Sequence, residues 1–228
     1  MTRPSLFFSM VLLALTACRS DPKTAEESQG EAAVQPAAGP GPQITTIGFT
    51  REDTVLHYAL DIKYPAIREH EVFNGAVRAG LEAAIDEFTE FIKDFNSEGR
   101  EMRSEYQLVQ NTSRVTSVRQ MYEWAVPGVS TLLYRFHNVN YNAEAKELIP
   151  LESLFRDGVG HRPLLRKRLA EKIRSRFKIE AEVTDDDLQA FVIGPDYLEF
   201  YKVLYPEVMD PEPKAFQVKF SELEGRLK

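Results

Sequence analysis

The sequence predicts an α+β fold: an antiparallel sheet packed against a long amphipathic helix plus shorter helices, in a single domain. Three observations predict it. From 56 to 63, Leu56, Tyr58, Leu60 and Ile62 alternate with His57, Ala59, Asp61 and Lys63, the period of a half-buried strand. The period then changes, and Phe73, Val77, Leu81, Ala84, Ile85, Phe88, Phe91, Ile92 and Phe95 recur at three- and four-residue steps. Strand-like alternation returns from about residue 104. At 228 residues, 43% of them hydrophobic and 11% aromatic, the chain has the means for one core plus appendages.

The first appendage is "MTRPSLFFSMVLLALTAC". Arg3 supplies a positive start, Leu6 to Leu15 an apolar run broken only by Ser9, and Thr16 and Ala17 the small residues before a cut. That pattern is a secretory signal peptide over 1–17. The run falls short of the roughly 20 apolar residues a bilayer span needs. A buried helix with a core cysteine is the competing assignment, since free cysteines are often buried. Against it, Leu15-Thr16-Ala17-Cys18 resembles the bacterial lipobox. The resemblance implies that Cys18 is acylated through sulfur and begins the mature chain, so that the lipid bilayer is a partner. Acyl chains contribute about 0.8 kcal/mol per buried methylene. Arg19 stands where an aspartate would resemble an inner-membrane retention signal, which implies an outer-membrane site facing the periplasm in a cell that has one.

Residues 18–43 change character. Val34 is the only branched aliphatic residue among Ala, Glu, Gln, Pro and Gly. Such a segment cannot offset its ordering entropy and is read as a disordered, lipid-anchored tether, with a reach of about 25–30 Å. The folded domain is assigned to 44–228. Cys18 is the sole cysteine, so the domain forms no internal disulfide. The net charge of −7 argues against nucleic acid and favours cationic partners or simple solubility.

Element by element, "ITTIGFTRED" and "TVLHYALDIKYPAI" read as two strands with Asp53 at the turn between them. The helix that follows carries Arg78, Glu82, Asp86, Glu90 and Lys93 on its outer face. Phe88, Phe91 and Phe95 are read as core and not as a ligand box. Strands resume over "SEYQLVQNTSRVTSVRQMYEWAV" and "STLLYRFHNVNYNA", broken at Pro127-Gly128, with Tyr106, Leu108, Val115, Val118 and Met121 assigned inward. Asn111-Thr112-Ser113 matches a glycosylation acceptor but is read as a turn. "LIPLESLFR" is a short helical turn, and "GHRPLLRKRLAEKIRSRF" a basic amphipathic helix with Leu165, Leu169, Ile173 and Phe177 inward. "TDDDLQAF" reads as a helix start capped by Thr184. "AFQVKFSEL" is a strand with a final turn.

The order of these pieces, with Tyr64-Pro65 ahead of the long helix, then Asn140-Tyr141-Asn142, Lys146, Leu148 and Leu151 to Phe155, resembles the extracytoplasmic domain of RsiV-type anti-sigma factors. The same domain occurs beside the catalytic domain of PdaC-type peptidoglycan deacetylases. The resemblance covers about 45–228, with Pro195 to Leu227 matching a terminal strand pair and short helix. It implies a non-catalytic binding or sensing module, because the RsiV domain binds lysozyme, a cationic enzyme. A Gly-Ala-His turn of the family falls on Gly128-Val129-Ser130, so the histidine is absent. The deacetylase metal site requires an Asp and a His-x-x-x-His pair, which this sequence lacks.

No cofactor and no metal is expected. His57, His70, His137 and His161 are scattered, and His57 and His137 are read as solvent-facing strand residues that can approach in space; a zinc site needs three or four converging ligands. "GVSTL" lacks a nucleophile elbow, and Asp185-Asp186-Asp187 lacks the spacing of a calcium loop. Two functions remain. One is an envelope binding module for a cationic protein or a peptidoglycan ligand, using the aromatic residues Tyr122, Trp124 and Tyr134 with Gly128 and Ser130. In that reading Trp124 is either a core residue or a partner anchor. The other is an envelope hydrolase acting on glycan or peptide through carboxylates, for which Glu105, Glu123 and Asp196 are the candidates.

Overall fold

A computed structural model describes residues 39–228 apart from Asn96, Val159 and Glu224, so the expected signal peptide, Cys18 and most of the expected tether lie outside the described residues. Strand β1 (Ile44–Asp53) turns into β2 (Tyr58–Ile67). Asp53 makes that turn: its carboxylate accepts from the backbone N–H groups of Val55 at 2.9 Å and Leu56 at 2.8 Å. His57 closes the turn with φ 51°, so it is an exposed turn residue and not part of a strand as the alternation suggested.

Helix α1 (Glu71–Phe91) continues as a 3-10 turn over Ile92–Asp94. Its buried stripe is the one the sequence spacing marks, Phe73, Val77, Leu81, Ala84 and Phe88, followed by Ile92. Asn74 fixes its start by bonding both the N–H (2.9 Å) and the carbonyl (2.8 Å) of Ile67. After α1 the chain returns as β3 (Arg100–Asn111), which pairs with β2 in parallel, Tyr58–Ile62 against Arg100–Ser104. The sheet is therefore mixed. A parallel neighbour needs a crossover, and α1 is that crossover.

The stretch read as strand, with a turn at Asn111-Thr112-Ser113, is a hairpin of β3 and β4 (Thr116–Ala125). Its turn falls at Thr112–Val115, where the Thr112 hydroxyl accepts from Val115 N–H at 3.0 Å. Strand β5 (Leu133–Asn142) and the two-residue β6 (Glu147–Leu148) complete a sheet ordered β1-β2-β3-β4-β5-β6. Beyond Ile62–Ser104 the β2–β3 ladder ends, and the Lys63 carbonyl accepts instead from Ser104 Oγ (2.9 Å) and Gln120 Nε2 (2.8 Å).

A second sheet, ordered β7-β8-β9, follows a 3-10 turn (Leu151–Leu154) and helix α2 (His161–Phe177). Its strands are β7 (Phe191–Ile193), β8 (Tyr197–Lys202) and β9 (Lys214–Lys219). Leu165, Leu169 and Ile173 of α2 bury with Leu198, Phe200, Phe216 and Val218 of this sheet, and with Leu151 and Phe155. The expected helix at Thr184 is only a 3-10 turn over Asp186–Leu188. Thr184 caps nothing there; its hydroxyl and N–H both donate to the Asp187 carboxylate.

A polar seam joins the sheets. The β7 backbone N–H of Ile193 donates to Ser117 Oγ (2.9 Å) and Asn140 Oδ1 (3.0 Å), while Asn140 Nδ2 donates to the Phe191 carbonyl (2.9 Å). The Asn140-Tyr141-Asn142 triplet is thereby explained as architecture. Tyr141 is fully buried against Phe73 and shares a 2.8 Å hydrogen bond with His70, and Asn142 accepts from the N–H groups of Glu144 and Ala145.

Candidate functional site

On the sheet face turned away from α1 stand Glu105 and Gln107 of β3, Arg119, Met121 and Glu123 of β4, and Tyr134 and Phe136 of β5. The register pairs Gln107 with Arg119, Glu105 with Met121, Met121 with Phe136 and Glu123 with Tyr134, and directly opposed residues share a face. Met121 thus faces this side and not the helix core as expected from the sequence, and Leu108 is 40% exposed beside a register shift at Leu108/Gln110.

Strand β8 meets this face. Phe136 stacks on Tyr201 with ring centroids 4.9 Å apart, and the Arg119 guanidinium lies 4.6 Å from the centre of the same tyrosine ring. Between the face and the β8–β9 side runs a cleft of about 450 Å³. The large sheet contributes Glu105, Arg119, Met121, Glu123, Tyr134 and Phe136 to its lining, and the other side contributes Tyr201, Glu212, Pro213 and Ala215.

The cleft's charges are unevenly matched. Arg119 is engaged: it pairs with the buried Glu199 at 3.3 Å and donates to Gln107 and to the Tyr201 hydroxyl. Glu199 also accepts from the Tyr201 hydroxyl and from Gln217 Nε2 at 2.9 Å. Glu105 has Lys63 at 3.9 Å, a contact of two well-exposed side chains. Among the described residues no cation pairs with Glu123 or Glu212. Both flank Tyr134, whose phenol is pushed up first by burial and then by the charges of Glu123, Glu212 and Asp210. An aromatic wall under uncompensated negative charge suits a cation, which gains from the ring quadrupole and from the carboxylates together.

The binding residues read from the sequence separate into three groups. Tyr134 lines the cleft. Tyr122 and Trp124, each only 1% exposed, are core side chains on the opposite face, with Trp124 between Phe88 (5.6 Å) and Phe91 (5.8 Å) and under Arg135 (4.8 Å). Of the two readings kept for Trp124, the structure selects the core residue, and it corrects the assignment of Tyr122 and Trp124 to a binding surface: α1 covers both. Gly128, at φ 93°, and Ser130 are exposed in the β4–β5 turn and do not line the cleft. Of the three carboxylates proposed for catalysis, Glu105 and Glu123 share the cleft, whereas Asp196 sits in the β7–β8 turn, where its carbonyl accepts from Phe220 N–H at 2.8 Å.

The histidines part company as well. His137 is not solvent-facing: its Nε2 bonds the Ala76 carbonyl of α1 at 3.0 Å. His57 is in the β1–β2 turn, so the two do not form the strand pair the sequence suggested. Among the described residues no three His, Cys, Asp or Glu side chains converge as a metal site. The sequence reading missed Arg119, Glu199, Tyr201 and Glu212. One signal was present, since a lone Glu inside the apolar strand "YLEFYK" is a buried charge that requires a partner.

No protein-family model matches the chain, and no curated protein matches it. Among solved structures, it is similar to a DUF3298 family protein from Pseudomonas aeruginosa, with a TM-score of 0.59 at 13% identity over 82% of this chain and 96% of that one. It is also similar to a member of the DUF3298 family from Bacteroides fragilis, with a TM-score of 0.55 at 13% identity over 84% of this chain and 95% of that one. At such identity the likeness is one of fold alone: the α+β architecture described above is shared with these two proteins.

Proposed function

We propose that this protein is a lipid-anchored module of the cell envelope, exported by its signal peptide, acylated at Cys18 and facing the periplasm, that binds a cationic protein or a cell-wall ligand without chemistry. The observation that carries the binding reading is the cleft, which Tyr134 lines together with Glu123 and Glu212, carboxylates without an ion pair among the described residues. The export signal, the acidic balance and the resemblance to the RsiV-type domain support the same reading.

A hydrolase is the second reading, because Glu105 and Glu123 line one cleft as diagonal neighbours on paired strands. It is the weaker one. The Glu105 side chain is 73% exposed, the setting of a solvated charge, whereas a general acid is tuned by enclosure.

Titration calorimetry with lysozyme as the cationic probe, and co-sedimentation with purified peptidoglycan, test the proposal. Glu123→Gln/Glu212→Gln is expected to weaken lysozyme binding at least tenfold, with a shallower salt dependence, as loss of steering charges gives. Glu105→Gln, already beside Lys63, is expected to matter less. Absence of binding to both probes rejects the module. Release of soluble glycan or peptide that Glu123→Gln abolishes favours the hydrolase.

A further inference from the structure

The two ends of the large sheet differ in how they meet water. At one end β6 is two residues long, and a strand that short leaves little backbone to pair. At the other, β1 is ten residues long and paired to β2 without a register shift from Ile44–Ile67 to Asp53–Tyr58. Its outer edge is unpaired among the described residues. The devices that blunt natural edges are mostly missing: β1 has no proline, no lysine and no bulge, and its three charges occupy only its last positions, Arg51, Glu52 and Asp53. Ile47 and Phe49 stand on this edge, each 38% exposed, on the face they share with Tyr64 and Ile62. The apolar face thus runs past the fully buried Ile62 to the last strand.

We propose that β1 pairs with β1 of a second copy of this chain, antiparallel and symmetric about Gly48, joining two large sheets into one. The sequence of the strand selects this occupant and this register. Symmetry about residue 48 sets Ile47 against Phe49 of the second copy, and Phe49 against its Ile47. It sets Thr46 against Thr50, a favourable cross-strand pair. Residue i then meets j while j meets i, as an isologous contact requires. Arg51 falls opposite Thr45, and Glu52 opposite Ile44, so no like charges face each other. Parallel pairing would place Arg51, Glu52 and Asp53 each against itself, and symmetry about Arg51 would oppose two guanidinium groups. At the axis Gly48 brings no side chain, and the backbones approach freely. A two-fold axis through the shared sheet also turns both clefts to the same side, which raises the effective concentration of the second site against a multivalent partner.

The full chain carrying Cys18→Ser, so that no native thiol competes, receives single cysteines and a short bismaleimide. Gly48 accepts the change: a Cβ there meets only the Ile62 carbonyl at 3.5 Å and Lys63 Cγ at 3.8 Å, ordinary contacts. Gly48→Cys is expected to cross-link to itself. Thr45→Cys and Arg51→Cys are each expected to stay single alone and to cross-link when mixed. Light scattering should show the parent chain passing from monomer to dimer as its concentration rises. Phe49→Lys should shift that midpoint at least tenfold upward while its melting curve is unchanged. A monomer at every concentration, a dimer indifferent to Phe49→Lys, or equal cross-linking of all three cysteines alone overturns the proposal.

Discussion

His137 shows how one side chain can be set by the backbone above it. Its ring lies against Gly80 of α1 so closely that a Cβ on Gly80 would come within 2.1 Å of the ring. Glycine is unfavourable inside a helix by roughly 1 kcal/mol relative to alanine, and here its lack of a side chain makes the room that a histidine on β5 needs. Burial pulls the His137 pKa below its ordinary 6.5, against the smaller opposing effect of the Ala76 carbonyl. The unfolded chain therefore takes up a proton near pH 6.5 that the folded chain resists. Its contribution is level above about pH 6.5 and is lost as the pH falls below that value. Carboxylates held low, such as Asp53 and Asp210 below 3.8 and Glu152 and Glu222 below 4.5, release their stabilisation only in more acid solution. The urea midpoint is expected to drop between pH 7.5 and 5.5, and His137→Phe to flatten that drop. An unchanged slope in the variant would assign the loss to another group.

At the scale of elements, β8 serves two neighbours by strict alternation. Leu198 and Phe200 enter the core under α2, while Glu199 and Tyr201 point toward the large sheet and hold Arg119. Arg119 and Glu199 are 20% and 10% exposed, so neither charge is solvated well enough to stand alone. Removing one member of such a pair leaves the other stranded. Arg119→Met is expected to cost about 3 kcal/mol of unfolding free energy. Arg119→Met with Glu199→Gln should cost less than the two single changes added together, the mark of a shared interaction. Denaturant titration of the four proteins decides it, and strict additivity would mean that the two sheets are held together by the Ser117–Asn140 seam and apolar packing alone.

For the whole molecule, the boundary of the folded domain matters. The composition places it at residue 44, yet Gly39 to Pro42 already dock on the β3–β4 turn. Ser113 N–H donates to the Gly39 carbonyl (3.0 Å), Asn111 Nδ2 donates to the Pro42 carbonyl (3.1 Å), and Pro40 bridges Thr112. Gly41 is required for this approach, since a Cβ would lie 2.7 Å from the Asn111 backbone carbon. A chain beginning at Ile44 is expected to be about 1–2 kcal/mol less stable than one beginning at Gly39, at the usual worth of about one hydrogen bond each. Equal melting temperatures would show the docked segment to be incidental.

What the sequence determined by itself is whatever periodicity encodes. The stripe from Phe73 to Ile92, the alternation of Tyr58, Leu60 and Ile62, and the stripe Leu165, Leu169 and Ile173 each name a buried face directly, because the period of the backbone sets which side chains share a side. The same rule put Tyr122 and Trp124 on one face and Met121 and Glu123 on the other. It does not say which face α1 covers, and the inward assignment of Met121 therefore fell on the wrong side. That choice belongs to tertiary packing, and it made Trp124 core and Glu123 a cleft residue. The parallel β2–β3 pairing, the separate β7–β8–β9 sheet and the meeting of Arg119 with Glu199, 80 residues apart in the chain, were likewise decided only by the assembled structure. Strand pairing and charge pairing join residues far apart in sequence, and no local pattern records the partner.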